Sequence, residues 1–443
     1  MLLLCTQAGA QTPKYVIYMI GDGMGLAQAY AAKQFAGELN FMEFPVQGFV
    51  TTYSASSLVT DSSAAGTALA TGTKINNNVL GIDPEGNVLT TVAEIAKAKG
   101  YGAGVATSVG VNHATPAAFY GHTASRSMYD QIADQLIESK IDFAAGATFL
   151  TSGRGSRPEM FVQKAKDSGI EVFCGKEEYK SVKGKRVIYL SNNLRSSALP
   201  YAIDHKDGQT KLAEFTEGAL DYLYTNYRKG FFLMIEGGKI DSSCHSNDAA
   251  TTVHEVIDFA ESVQLALDFY KQHPNETLII VTADHETGGF TMGAGAYDLQ
   301  PKVLASQKVS KDVLAAKIAE LRRANNDNVS WAQVKNLLRE TLGLWDTIPV
   351  NKMQEKAFTQ VYKDTILDNS AEVDENLYSR NDMLTKAAID YVNRMAMTTY
   401  SFGSHSGIPV PIYVIGAKAE KFRDCHDNTD LPKMILKVTG WQK

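Results

Sequence analysis

Residues 231–245 read FFLMIEGGKIDSSCH and set Asp241 and His245 four positions apart. One helical turn would bring both side chains onto the same face. A carboxylate oxygen and an imidazole nitrogen so placed suit a zinc ion, although the same spacing alone is equally that of a surface pair. Three other segments add to it. Asp284 and His285 stand together after the apolar run LIIVTA, where adjacent side chains leaving a strand can hold one metal from a loop. His405 lies in SFGSHSG, whose small residues leave it as a loop ligand or a solvated loop histidine. Asp22 follows YVIYMIG and supplies one more carboxylate. The inventory is Asp, His, His and Asp, Asp, His. Two such sets with open positions match two-metal phosphoryl chemistry, in which one ion holds the nucleophile and the other the leaving oxygen.

A nucleophile for that chemistry is present. Asp61 and Ser62 precede SAAGTALAT, a helix-compatible run of small residues at 63–71. A serine there has its hydroxyl beside unsatisfied helix N–H groups, which favour anions. Small neighbours let a phosphate and metal ions approach the backbone. On its own the segment is an N-cap before a close-packed helix. Beside the metal inventory, Ser62 reads as a nucleophile whose alkoxide a metal ion stabilises, and Ser63 is the fallback.

These residues need a scaffold. Short apolar runs rich in β-formers recur at 15–20, 104–107, 186–190, 231–235, 278–282 and 411–415, with helical patterns at 91–99, 127–138, 211–227 and 249–270 between them. That alternation predicts an α/β fold, a mostly parallel central sheet with helices on both faces. Ligands then lie beyond the carboxyl ends of the strands, where Asp22, Glu236 and the pair Asp284-His285 fall. Residues 293–399 break the pattern. They are charged, helical at 310–325, 330–342, 352–368 and 382–397, and lack a convincing buried strand. We read them as a helical insertion, because the strand at 411–415 is needed to complete the sheet. Residues 14–443 thus form a single catalytic domain, preceded at 1–13 by a residual signal peptide and tail.

The chain of 443 residues is 44% hydrophobic and 21% charged, with a net charge of −6. That is soluble globular composition. It gives no electrostatic reason to seek nucleic acid or an anionic membrane, and no stretch is apolar enough to span a bilayer. The apolar start at 1–5 and Ala8-Gly9-Ala10 read as a signal peptide missing its first residues, so export is expected. Leu2-Leu3-Leu4-Cys5 also fits a lipid-anchoring site. Cys5, Cys174, Cys244 and Cys425 show no C-x-x-C spacing. Without Cys5, one internal bridge can form, Cys174 with Cys425 being one pairing.

In order along the chain, Gly21-Asp22-Gly23-Met24-Gly25, Thr60-Asp61-Ser62, His113-Ala114-Thr115-Pro116-Ala117, Glu236-Gly237-Gly238 with Asp241 and His245, Thr282-Ala283-Asp284-His285 and Ser404-His405-Ser406-Gly407 resemble the motifs of the alkaline phosphatases. The resemblance covers roughly residues 15–416. It implies a periplasmic or extracellular phosphomonoesterase of broad substrate range with two zinc ions and one magnesium ion. By position it implies Asp241, His245 and His405 as ligands of the first zinc and Asp22, Asp284 and His285 as those of the second. Asp22, Thr115 and Glu236 are implied for magnesium, Ser62 as the residue that becomes phosphoserine, and Arg126 as the arginine that grips the phosphoryl oxygens.

Two positions depart from the enterobacterial pattern. His113 stands where that branch has aspartate and the animal branch has histidine. Ser242 stands where those branches have lysine and histidine. Both lie near the phosphate and the third metal in the family. A homodimer is the expected assembly, although the long N-terminal arm of dimeric relatives is not seen. Competing classes are a phosphodiesterase or sulfatase on the same core, a cofactor-independent phosphoglycerate mutase, and a non-enzymatic phosphate or metal binder. Arg126, Thr115 and Glu236 favour monoesters, and Ser62 favours an enzyme.

Overall fold

The computed structural model describes residues 11–153, 155–175, 182, 184–295, 297–368, 373–375, 378 and 380–442. The N-terminal cleavage site and Cys5 lie outside the described residues. Nine strands make one sheet: β1 (Tyr15–Gly21), β2 (Val46–Val50), β3 (Gly102–Thr107), β4 (Phe143–Gly146), β5 (Glu171–Cys174), β6 (Val187–Leu190), β7 (Phe231–Gly237), β8 (Thr277–Thr282) and β9 (Val410–Gly416), in the order β2-β9-β8-β1-β7-β3-β4-β6-β5. From β8 to β5 every pairing is parallel. β9 runs antiparallel to both β8 and β2. Every residue of β1 and β7 is buried, so helices cover both faces. This is why these strands read as continuous apolar runs rather than alternating ones.

Three strands were not foreshadowed by composition. β4 is FAAG, too poor in β-branched residues to announce itself. β5 and β2 lie at the two edges, where one side of the ladder is free. The sheet also decides the cysteine question. Cys174 ends β5 at one edge, whereas Cys425 precedes His426 and Asn428, which bond Thr51 beyond β2 at the other. At about 4.8 Å per strand, nine strands separate the two far beyond the roughly 7 Å a disulfide can bridge. The pairing of Cys174 with Cys425 is therefore excluded.

Between β8 and β9 lie the helices Lys311–Ala324, Trp331–Leu342, Lys352–Tyr362 and Met383–Met395. The helix expected over 352–368 instead widens after Tyr362 into a π turn, Lys363–Leu367. Thr291–Met292 pairs antiparallel with Thr398–Thr399, so the segment leaves and rejoins the core at one point. The hairpin Val373–Glu375 with Arg380–Asp382 is its own two-stranded pair, and no described strand of the segment enters the main sheet. Among the described residues no helix is long and apolar enough to cross a membrane.

Candidate active site

β8, β1 and β7 are neighbours, and their parallel register brings three acid-bearing strand ends to one edge. Ile20 pairs with Glu236 on one side and Thr282 on the other. Asp22 follows β1 by one residue and Asp284 follows β8 by two, so all three carboxylates emerge within one turn of chain. Gly23, at φ +73°, carries the loop past the next element. A Cβ there would stand 2.9 Å from the Cα of Asp241, so only glycine lets the two segments meet. Asp241 and His245 lie on the short helix Lys239–His245, as their spacing predicts.

In the first cluster Asp241 Oδ1 is 3.4 Å from His245 Nε2 and 3.7 Å from His405 Nε2. The two imidazole Nε2 atoms face each other at 3.2 Å. Each ring donates its Nδ1–H to a backbone carbonyl, His245 to Gly403 at 2.7 Å and His405 to Thr60 at 2.9 Å. A carbonyl can only accept, so in the neutral rings both Nε2 lone pairs point into the same space. That arrangement is what a cation requires.

In the second cluster His285 Nε2 is 3.5 Å from Asp22 Oδ1 and 3.3 Å from Asp284 Oδ2. Thr287 donates its hydroxyl to Asp241 Oδ1 at 2.6 Å and faces His285 Nδ1 at 3.2 Å. The hydroxyl proton being committed, His285 Nδ1 donates to that oxygen and Nε2 turns its lone pair to the carboxylates. One threonine thus orients a side chain in each cluster. Asp284 Oδ1 accepts the backbone N–H of Gly23 and of His285, which leaves Oδ2 directed at the cluster.

A third group joins Asp22, His113 and Glu236, whose donor atoms lie within 4.8 Å of one another. Thr107 donates its hydroxyl to Glu236 Oε2. Both Asp22 oxygens, Glu236 Oε1, Asp284 Oδ2, Thr115 Oγ1 and His113 Nδ1 are buried with no hydrogen-bond partner in the protein. Native proteins rarely leave such atoms orphaned. Six at one strand edge fit bound cations, and the oxygen-rich third group fits a hard one.

The charge balance agrees. Burial and the neighbouring Asp284, Asp241 and Glu236 push the Asp22 carboxyl well above its ordinary range. Burial, with Asp241 close by, does the same to Asp284. Burial raises Glu236 to about 7. Burial alone would raise Asp241 too, but the imidazoles of His245, His405 and His285 outweigh it and hold it well below. Burial and Arg126 lower His113 to about 3, so it is neutral. This many buried carboxylates are ionised together only beside positive charge.

Ser62 opens the helix Ser62–Thr71 and its Oγ is 3.3 Å from His285 Nε2. Asp61 is the N-cap and accepts from Ala64 N–H at 3.0 Å. It also takes the Ser63 hydroxyl at 2.8 Å and Asn78 N–H at 3.1 Å. The geometry thus separates the two serines: Ser63 is tied to the cap and Ser62 faces the clusters. Gly66 explains the small residues, since a Cβ there would meet Ala118 at 3.1 Å and Thr115 Cα at 3.4 Å. The run lets this helix lie directly on the segment bearing Thr115. Arg126 donates to Asp61 Oδ2 at 3.2 Å and stands 3.4 Å from His113 Nε2. Ser242, His113, Arg126 and His405 all face one cleft.

Three residues escaped sequence reasoning: Thr107, Thr287 and Tyr378. The Tyr378 hydroxyl donates to Asp241 Oδ2 at 2.9 Å, and its ring stands edge-on to His245 at 5.2 Å. Thr107 is opposite Glu236 in register, a signal visible only once β3 is paired with β7.

Carboxylate–histidine clusters at the carboxyl edge of a mostly parallel sheet define a class, α/β proteins whose strand-end side chains could hold metal ions. Comparison with known proteins narrows it. The alkaline phosphatase family profile matches residues 13–440. Alkaline phosphatase 4 of Bacillus subtilis (strain 168) is 33% identical over 438 residues, covering 96% of this chain and 88% of its own. The crystal structure of a cold-active alkaline phosphatase from a psychrophilic Shewanella species superposes with a TM-score of 0.80 at 30% identity, covering 96% of this chain and 99% of that one. A mutant of the Antarctic bacterium TAB5 alkaline phosphatase, described with Mg bound in its M3 site, gives a TM-score of 0.69 at 25% identity, covering 98% and 100%. The chain belongs to the alkaline phosphatase family, and with it to the metal-dependent hydrolases of phosphate monoesters.

Proposed function

We propose that this enzyme hydrolyses phosphate monoesters in two steps through a phosphoserine at Ser62. The observation that carries this reading is Ser62 at a helix N-terminus, its hydroxyl turned to His285 between the clusters while Ser63 is bound to Asp61. Asp241, His245 and His405 would hold one zinc ion, and Asp22, Asp284 and His285 a second. Asp22, Thr115 and Glu236 would hold magnesium, with His113 beside them. When bound, the ions supply Lewis acidity to the attacking and leaving oxygens and neutralise the buried carboxylates.

The chain's own groups do the rest. Arg126 offers two N–H groups side by side to the phosphoryl oxygens, held in place by Asp61. The N–H groups opening the helix Ser62–Thr71 favour the same anion. Thr287 and the carbonyls of Gly403 and Thr60 fix which imidazole nitrogens face inward.

We further read residues 14–443 as one catalytic domain with its helical insertion, exported to the periplasm or medium and expected to pair as a homodimer. Trapping with labelled monoester at acid pH tests the mechanism. Label is expected on Ser62; label on Ser63, or none, sinks it.

A further inference from the structure

The cleft that opens from Arg126, His113, Ser242 and His405 holds about 1720 Å³. Ordinary small-ligand pockets hold roughly 300–1,000 Å³, and a phosphoryl group fills only one end of this space. The remainder is a broad cleft open on one side to solvent, with Phe149 and Leu199 among its apolar lining residues.

Lys239 lines the same cleft. It begins the helix Lys239–His245 three residues before Ser242, and residues at that spacing share a helix face. A cation therefore stands one turn along the wall from the phosphoryl end. Its Nζ rests 3.3 Å over the Tyr201 ring. Among the described residues it forms no ion pair within 4.0 Å. Glu255, Asp312 and Asp204 act on it from further off, and Asp312 reaches the cleft wall too. An ammonium seated on an aromatic ring, facing a cleft with no carboxylate in contact, is free to take a ligand anion. Arg157 and Arg195 add two guanidinium groups to the same lining.

We propose that this cleft is a subsite for the alcohol half of the substrate and that Lys239 receives a second anionic group carried on it. The preferred substrates are then organic phosphates bearing a carboxylate or a further phosphate about one helical turn, roughly 5 Å, from the scissile group. The proposal rests on the phosphoryl site proposed above.

A ladder of straight-chain alkyl monophosphates tipped with methyl, carboxylate or ammonium tests it on the wild-type holoenzyme. At the chain length that spans the gap, the carboxylate-tipped ester should exceed the methyl-tipped one about tenfold in kcat/KM, through KM, as expected for one added charge-assisted hydrogen bond. The ammonium-tipped ester should fall below both. In Lys239→Gln the carboxylate-to-methyl ratio should drop to near one, and Lys239→Arg should keep most of it. No charge preference at any length, or a Lys239→Gln loss equal for all three tips, overturns the subsite. Turnover of all three tips at equal efficiency sinks the subsite alone. Turnover of none sinks the phosphoryl-site reading with it. Because the wild-type ladder decides by itself, a misfolded variant does not protect the proposal.

Discussion

The carboxyl edge of β8, β1 and β7 and the helical segment that follows β8 are held by different means. At the edge Asp22, Glu236, Asp241, Asp284 and His285 have no exposed surface at all. Their positions follow from strand register and from backbone bonds such as those of Gly403 and Gly23. The segment between Thr291–Met292 and Thr398–Thr399 instead has an aromatic core of its own. Trp331 lies 5.5 Å from Tyr362, and Phe358 lies 5.4 Å from Tyr391. It is tied to the core by buried polar residues, Gln307 and Lys311 donating to Asp248 and Asn393 to the carbonyl of Asn247, and it reaches the clusters through Tyr378. Chemistry that tolerates little misplacement is mounted on the strands of the central sheet, whereas a helical segment outside that sheet is left to modulate it.

The largest effect should come from the edge. Ser62→Ala is expected to lose about four or more orders of magnitude in kcat while still binding metal. Calorimetric metal titration and turnover, run together, check both halves. Strong residual turnover would show that the edge does not hold the nucleophile. Removal of metal by a chelator should abolish activity and lower the melting temperature, since buried carboxylates then lose their counter-charge.

Next in size is Arg126→Ser. It should cost roughly 10²–10³ in monoester kcat/KM and leave the slower diester reaction nearly unchanged, because a diester has only two non-bridging oxygens and one shared charge. Lysine should restore only part of the loss, lacking the planar fork. Equal fractional losses on matched mono- and diesters would sink the assignment. His113→Asp should follow, altering magnesium affinity by about 10- to 100-fold and sharpening the response of zinc-loaded enzyme to added magnesium. Indifference of wild type and variant to magnesium would remove the third site from the edge.

Smaller effects should come from the insertion. Tyr378→Phe deletes the hydroxyl that the segment donates to Asp241. It should weaken metal binding by about tenfold, without the loss expected at Ser62. A Tyr378→Phe defect as large as Ser62→Ala would erase the contrast between the regions. Charge changes on its helices should raise KM for bulky esters more than for small ones.

The smallest effect lies outside both regions. Burial works against the charged forms of His122 and Glu94. Their contact, with Gly81 accepting from the ring, nonetheless raises His122 and lowers Glu94. The raised histidine stabilises fully below its unfolded value of 6.5 and loses that contribution as pH rises through the folded value. The lowered glutamate stabilises above 4.5 and loses its share on acidification. The melting difference between wild type and His122→Asn should therefore shrink from pH 6 to pH 9, and a constant difference would dismiss the pair.

Much of this protein was legible in the residues. The apolar runs at β1, β7 and β8 and the acids at their ends specified a parallel sheet and its ligand edge. The spacing of Asp241 and His245 specified one helical face. Thr115 and Arg126 were reachable only through family resemblance, because a threonine and an arginine in loops carry no periodic signal. His113 stood in the sequence as a neighbour of the site, and the fold brings it into the third group with Asp22 and Glu236. What the sequence determined by itself was therefore everything that repeats or alternates: strand, helix, and which end of each bears a donor. Only the tertiary structure decided which donors face one another. Strand order put β1 between β7 and β8, the opposite edges parted Cys174 from Cys425, and the Thr287 hydroxyl joined two clusters through a contact between residues 46 positions apart. Such meetings depend on the order in which strands are laid side by side, and no local pattern of residues encodes that order.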